Sequence, residues 1–366
     1  MSIRSFKWKA VVAPAVLCVL LTGCKSGPIV LEPGRVALTE VAASTSQWTG
    51  VAISKEGRIF INYPRWSDSV PISVGEITPD GEIIPYPNKK WNAWTPSDPP
   101  GEHFVCVQSV YVDRDDFLWI LDPGNPNFSG VVKGGPKLLK VDLKTDTIAQ
   151  TIRFDRSIAP PKSYLNDIRV DTKLKTAYLS ESGVGAIVVV DLKTGQARRM
   201  LDTHHSTASE DITLTIAGKE WIPGGVRPQV HCDGLALDAE GEYLYYQALT
   251  GRNLYRIKTK WLRDERLTED QLIAQVEPVS ASGASDAIMF GPHGNLYLSA
   301  IEDSAIRRLT PDRVLETVVA DERLAWPDSF AIGPDGAIYV TTSRIHFGLG
   351  AEQTEPCRLF RLAPLR

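Results

Sequence analysis

Residues 231–257 read HCDGLALDAEGEYLYYQALTGRNLYRI, and the fold follows from this stretch. Leu235-Ala236-Leu237 begins an apolar alternation with the two-residue period of a strand. Asp238-Ala239-Glu240-Gly241 is an acidic, glycine-ended turn. Tyr243 to Ala248 is a second strand, and Thr250-Gly251-Arg252 turns it into a third from Asn253 to Ile257. Three short strands cannot bury both of their faces alone, so such a unit needs copies of itself. The copies are present: 49–62 (TGVAISKEGRIFIN), 108–121 (QSVYVDRDDFLWIL), 166–179 (NDIRVDTKLKTAYL), 286–298 (DAIMFGPHGNLYL) and 328–340 (DSFAIGPDGAIYV). With the opening stretch they make six units, spaced by roughly 40–70 residues. An all-β, six-bladed propeller is predicted, since radial closure removes the free sheet edges. The last unit lacks a fourth strand after Arg358 to Leu362, and Val36 to Val41 is a spare strand. Pairing of these two is predicted to close the ring. Residues 36–366 are then one domain.

The rest of the chain narrows the class. The sequence has 366 residues, 43% of them hydrophobic and 23% charged, enough apolar material for a large core. A formal net charge of −4, with no basic stripe, argues against nucleic acid as a partner. Arg4, Lys7 and Lys9 precede an apolar run from Ala10 to Leu21, too short to span a bilayer comfortably. The run ends in Leu21-Thr22-Gly23-Cys24, which resembles a bacterial lipobox. That resemblance implies a signal peptide over 1–23, a diacylglycerol on Cys24 and a tether over 24–35. Lys25 follows the cysteine, so a lipid-anchored cell-envelope protein is expected, on the outer membrane in a Gram-negative host. A monomer is expected. Cys106, Cys232 and Cys357 remain, with no metal-ligand spacing, and are read as buried apolar thiols.

Several strings resemble the major royal jelly and yellow protein family. They are Arg58-Ile59-Phe60 with Pro64-Arg65-Trp66, Gln108-Ser109-Val110 with Leu118 to Gly124, and Pro136-Lys137-Leu138 with Leu165-Asn166-Asp167-Ile168. Tyr245-Tyr246 with Arg252-Asn253-Leu254-Tyr255, and Trp326-Pro327-Asp328-Ser329-Phe330, continue the series in order. The resemblance implies a six-bladed propeller, in agreement with the repeat count. It also implies binding of an amine- or catechol-like molecule, with tautomerase or isomerase activity as an extension of that role.

The repeats indicate where such a molecule would sit. Aligned by their alternation, the inner strands start with Thr49, Gln108, Asn166, Asp233, Asp286 and Asp328. All are polar and three are acidic, so the repeats converge polar side chains on one axis. Polar groups converging at a cavity mouth mark a binding site; the plainer reading is that they bond nearby turns, as Asx turns do. A propeller of the gluconolactonase type is the alternative. That resemblance implies a divalent cation such as calcium on Asn166, Asp233 and Asp286, although Thr49 stands where a glutamate ligand is wanted. A non-catalytic envelope scaffold is a third reading. His231, two residues before Asp233, is the candidate acid or base. His204-His205 with Glu210-Asp211 lies in a long segment, 203–230, read as a rim loop or lid whose two imidazoles point apart. Trp91, Trp94, Phe128, Trp326 and Phe347 are candidates for an aromatic wall. Asn125-Pro126-Asn127 and Arg344 are expected on the rim away from the ring.

Overall fold

The computed structural model describes residues 36–350 and 354–364. The signal peptide, the tether and Cys24 lie outside the described residues.

Six four-stranded antiparallel sheets are arranged as the blades of a propeller, and in five of them the strands follow one another in chain order. The inner strands are Val51–Ile53, Ser109–Val112, Leu165–Asp171, Cys232–Leu237, Ser285–Phe290 and Pro327–Ile332, in blades one to six. The sixth blade takes its outermost strand from the other end of the chain. Leu38–Ser44 pairs antiparallel with Cys357–Leu362, from Leu38 opposite Leu362 to Ser44 opposite Cys357. The closure expected from the spare strand is the one found.

The two-residue alternation has a precise use in this fold. Each sheet is covered on both faces, so alternate side chains feed two different interfaces. In the second blade Leu118 and Ile120 pack toward the first blade with Phe60 and Val74. Trp119 and Leu121 pack toward the third with Ile168 and Leu179. The core is therefore a set of layers between neighbouring blades, and the axis is left to polar groups. Among the described residues no helix is long and apolar enough to cross a membrane.

Candidate functional site

The inner strands place the predicted ring by means of β-bulges. In the third to sixth blades the register slips between Leu165 and Ile168, Cys232 and Leu235, Ser285 and Ile288, and Pro327 and Phe330. Asn166, Asp233, Asp286 and Asp328 stand inside these slips. A bulge re-aims the side chains it carries and leaves backbone N–H groups without ladder partners. Hydroxyls from the second strands take three of those sites. Ser180 Oγ accepts from Asp167 N at 2.9 Å, and Thr341 Oγ1 from Ser329 N at 3.1 Å. Ser299 Oγ accepts from both Asp286 N (3.0 Å) and Ala287 N (2.9 Å).

Gln108, Asn166, Asp233, Asp286 and Asp328 line one cavity of about 860 Å³ at an end of the axis. Thr49 holds the equivalent place in the first blade but faces the joint between blades. Its Oγ1 donates to Gln108 O at 2.9 Å and accepts from Asn62 Nδ2 at 2.8 Å. It is 1% exposed and does not line the cavity. Beneath the ring, Arg169 of the third blade pairs with Asp167 at 2.8 Å and reaches the Ile288 carbonyl of the fifth at 2.9 Å. This side chain thus links the third blade to the fifth.

One half of the ring is a directed chain of hydrogen bonds. Trp66 Nε1 donates to Tyr164 Oη at 2.8 Å, and Tyr164 Oη donates to Gln108 Oε1 at 2.8 Å. Gln108 Nε2 donates at 3.4 Å to Asn166 Oδ1, and Asn166 Nδ2 at 2.8 Å to Asp233 Oδ2. From the other side Trp326 Nε1 donates to Asp286 Oδ2 at 2.6 Å. The three aspartates are 3%, 8% and 6% exposed, in chain order. Burial, and then the negative charge of Asp328, push the Asp233 and Asp286 carboxyls well above the usual range. Burial likewise pushes Asp328 up to about 7. Among the described residues no Lys, Arg or His forms an ion pair with any of the three; Arg169, beneath the ring, is paired with Asp167 instead. Three buried acids without a cation are costly to ionise together, so they retain protons near neutrality.

Aromatic rings flank the acids. Phe128 stacks between Tyr164 (4.8 Å) and Trp66 (6.0 Å) on one side. Opposite in composition is Trp326, met edge-on by Trp221 at 4.8 Å. Phe128 and Trp326 have φ of 52° and 61°, a region that large side chains enter only at a cost. Such conformations cluster at ligand clamps because the surroundings hold them there.

Several expectations need correction. The turn at Asn125-Pro126-Asn127 and the segment after Arg344 lie on the same rim as the ring, since Asn125, Phe128, Ile345 and Leu349 line the cavity. Two antiparallel strands explain this: the end of the second lies beside the start of the first. His204 and His205 do not point apart; their rings are 4.0 Å from each other, because the chain there turns instead of running as a strand. His231 accepts from Ser209 N through Nδ1 at 2.9 Å and is absent from the cavity lining. Burial lowers its pKa. Of the aromatic candidates, Phe128 and Trp326 line the cavity. Trp91 packs on Phe104 at 5.2 Å, Trp94 is buried beneath Arg65, and Phe347 is 59% exposed at the lip. Trp66, Tyr164 and Trp221 were not singled out from the sequence. The last two polar-to-aromatic links, Tyr164 to Gln108 and Trp326 to Asp286, join residues far apart in the chain. Cys106, Cys232 and Cys357 are free and buried.

Asn166 turns its amide nitrogen toward Asp233 and its oxygen toward Gln108. Among the described residues, no group of three or more His, Cys, Asp or Glu is arranged to hold a metal ion.

Fold and site together define a six-bladed propeller with an acidic, aromatic-walled cavity at one end of its axis. The model of the major royal jelly protein family matches residues 105–353, and the chain belongs to that family. The match starts at the second blade, so the likeness read at Arg58 to Trp66 lies outside it. The chain is 25% identical over 234 residues to the yellow protein of Drosophila subobscura, covering 58% of this chain and 39% of that one. It is 33% identical over 122 residues to the dopaminechrome tautomerase of Drosophila melanogaster, covering 31% of this chain and 26% of that one. It thus spans well under half the length of these curated relatives. Among solved structures, a gluconolactonase from Xanthomonas campestris aligns with a TM-score of 0.56 at 12% identity, over 90% of each chain. Virginiamycin B lyase from Staphylococcus aureus aligns with a TM-score of 0.52 at 13% identity, over 90% of this chain and 100% of that one. At such identities these likenesses establish the fold alone.

Proposed function

We propose that the cavity binds a protonated amine with an aromatic or catechol-like ring. The ammonium sits against Asp233, Asp286 and Asp328, and the ring lies along the Trp66–Phe128–Tyr164 stack or against Trp326. The observation that carries this reading is the convergence of three carboxyl groups on one cavity, each more than nine-tenths buried and none ion-paired with a cation of the protein among the described residues. A bound ammonium supplies the missing charge, donates hydrogen bonds to the carboxylate oxygens, and gains from the aromatic faces. The directed chain ends on one oxygen of Asp233, and Trp326 takes one of Asp286; the other carboxyl oxygens are the ones offered to the ligand.

The same group suits proton transfer. A tautomerisation moves one proton off a ring position and returns one elsewhere, with no net gain or loss. Asp328, held near 7, is a suitable relay, because a base titrating near the working pH is the most effective. The similarity to a protein named dopaminechrome tautomerase is consistent with this extension. Calorimetry with a panel of aromatic amines tests the binding reading: heat is expected with the native chain and little with Asp233→Asn. An absence of heat across the panel would refute it. Absorbance decay of an aminochrome, compared with Asp328→Asn, tests the proton relay. The lipobox reading places the protein in the cell envelope; Cys24→Ala is expected to move it from the membrane fraction to the soluble one.

A further inference from the structure

The cavity is graded from floor to mouth. Its floor is the aspartate trio, and its middle is aromatic, with Trp326, Tyr164 and Trp66 at 0%, 4% and 8% exposure. Its lip is apolar and open: Phe128, Val226 and Leu349 line the cavity while remaining 48%, 69% and 45% exposed. Ile222 and Phe347, at 42% and 59%, lie next to lining residues Trp221 and Gly348. The other exposed large hydrophobics among the described residues are only Ile84, Leu174 and Val314. Most of the exposed apolar side chains are thus gathered at one mouth, from three separate segments of the chain. Clusters of this kind mark a contact surface and not random exposure.

The volume points the same way. At about 860 Å³ the cavity is near the top of the range that encloses a whole drug-sized molecule, roughly 300–1,000 Å³. An amine with a single ring would leave the lip uncovered. We infer that the ligand is an amphiphilic amine, with an ammonium head on the aspartate trio and an apolar body long enough to cover Phe128, Val226 and Leu349. This rests on the ammonium reading of the trio and adds the size and polarity of the rest of the molecule. With the aspartate trio buried and the apolar residues exposed, the head lies at the floor and the apolar end is the part left at the mouth.

Straight-chain primary amines from butylamine to decylamine, titrated into the chain from Val36 onward in full, provide the test. Burying each added methylene should raise affinity roughly fourfold until the lip is covered. Val226→Ser with Leu349→Ser should abolish the gain in affinity over the last methylenes. 1-Octanol, with the tail but no ammonium, should bind at least about 30-fold more weakly than octylamine. If butylamine binds and longer chains bind no better, the amphiphile inference falls and the amine reading stands. If no amine binds, both fall. If octanol matches octylamine, the head-group assignment is overturned. If the double variant alters attachment to lipid vesicles but not the chain-length gain, the lip belongs to a membrane contact and the inference is wrong.

Discussion

The two halves of the ring are built from the same repeat and end in opposite states. In the first three blades Thr49, Gln108 and Asn166 have their polar atoms engaged by neighbours. In the last three, Asp233, Asp286 and Asp328 are equally buried but face one another without a counter-charge. A polar group at a strand start therefore serves the fold on one side, while on the other it faces the cavity where we propose the ligand binds. What separates them is the ratio of donors to acceptors. Amides and hydroxyls carry both and can complete a chain, whereas carboxylates only accept once ionised.

The largest expected effect breaks the comparison at the acidic half. Asp233→Asn keeps the shape but cannot give up a proton to a bound ammonium, and is expected to weaken amine binding on the order of 100-fold by calorimetry. Gln108→Leu in the other half should cost less than about fivefold. Equal losses would mean that the two halves do the same work.

The next effect is on pH. Ligand ammonium and protons compete for the trio, so affinity should drop as pH falls below about 7, where Asp328 takes up its proton, by up to about tenfold per unit. Stability of the free protein runs the other way. The folded pKa of Asp328 lies above its ordinary value, so the folded state binds protons more readily than the unfolded one. Its contribution is full below about pH 4 and is lost as pH rises to about 7. Tm of the ligand-free protein should accordingly fall across that window, and Asp328→Asn should flatten the decline.

A third test sets stability against function. At pH 8, Asp286→Asn relieves repulsion while still offering an acceptor to Trp326 Nε1, and should raise Tm by roughly 2–5 °C. Thr49→Val removes the partner of one Asn62 Nδ2–H and of the Gln108 carbonyl, and should lower Tm by a similar amount, about 2–5 °C, with amine affinity intact. Differential scanning calorimetry reads both signs. The smallest effect concerns metal: on the ammonium reading, EDTA should change amine affinity less than about twofold. A larger loss on chelation, restored by calcium, would favour a cation centre after all.

Much of this was legible in the residues, and the gaps have physical reasons. The period of two, the glycine-ended turns and the sixfold recurrence define blades, since local alternation is a property of strands wherever they lie. The ring positions were legible because they recur at one point of each repeat. The bulges were not, although the buried Ser180, Ser299 and Thr341 that complete them stand one residue after aliphatic Leu179, Leu298 and Val340. Apolar strands with a lone hydroxyl toward the end of the second strand were the available signal. The aromatic wall was only half legible. Trp66 meets Phe128 and Tyr164 because three turns share a rim, and no spacing in the chain encodes which turns do so.

By itself, then, the sequence determined the blade, its copies, the closure of the ring by a spare strand read at Val36 to Val41 pairing with Arg358 to Leu362, and the family strings, because these depend on local pattern and pairing. Only the tertiary structure decided that Thr49 faces a joint, that three aspartates share a cavity without a cation, and that the apolar lip gathers above them. Those outcomes depend on which side chains meet across the axis. Radial closure sets that meeting, bringing together residues separated by tens to hundreds of positions along the chain.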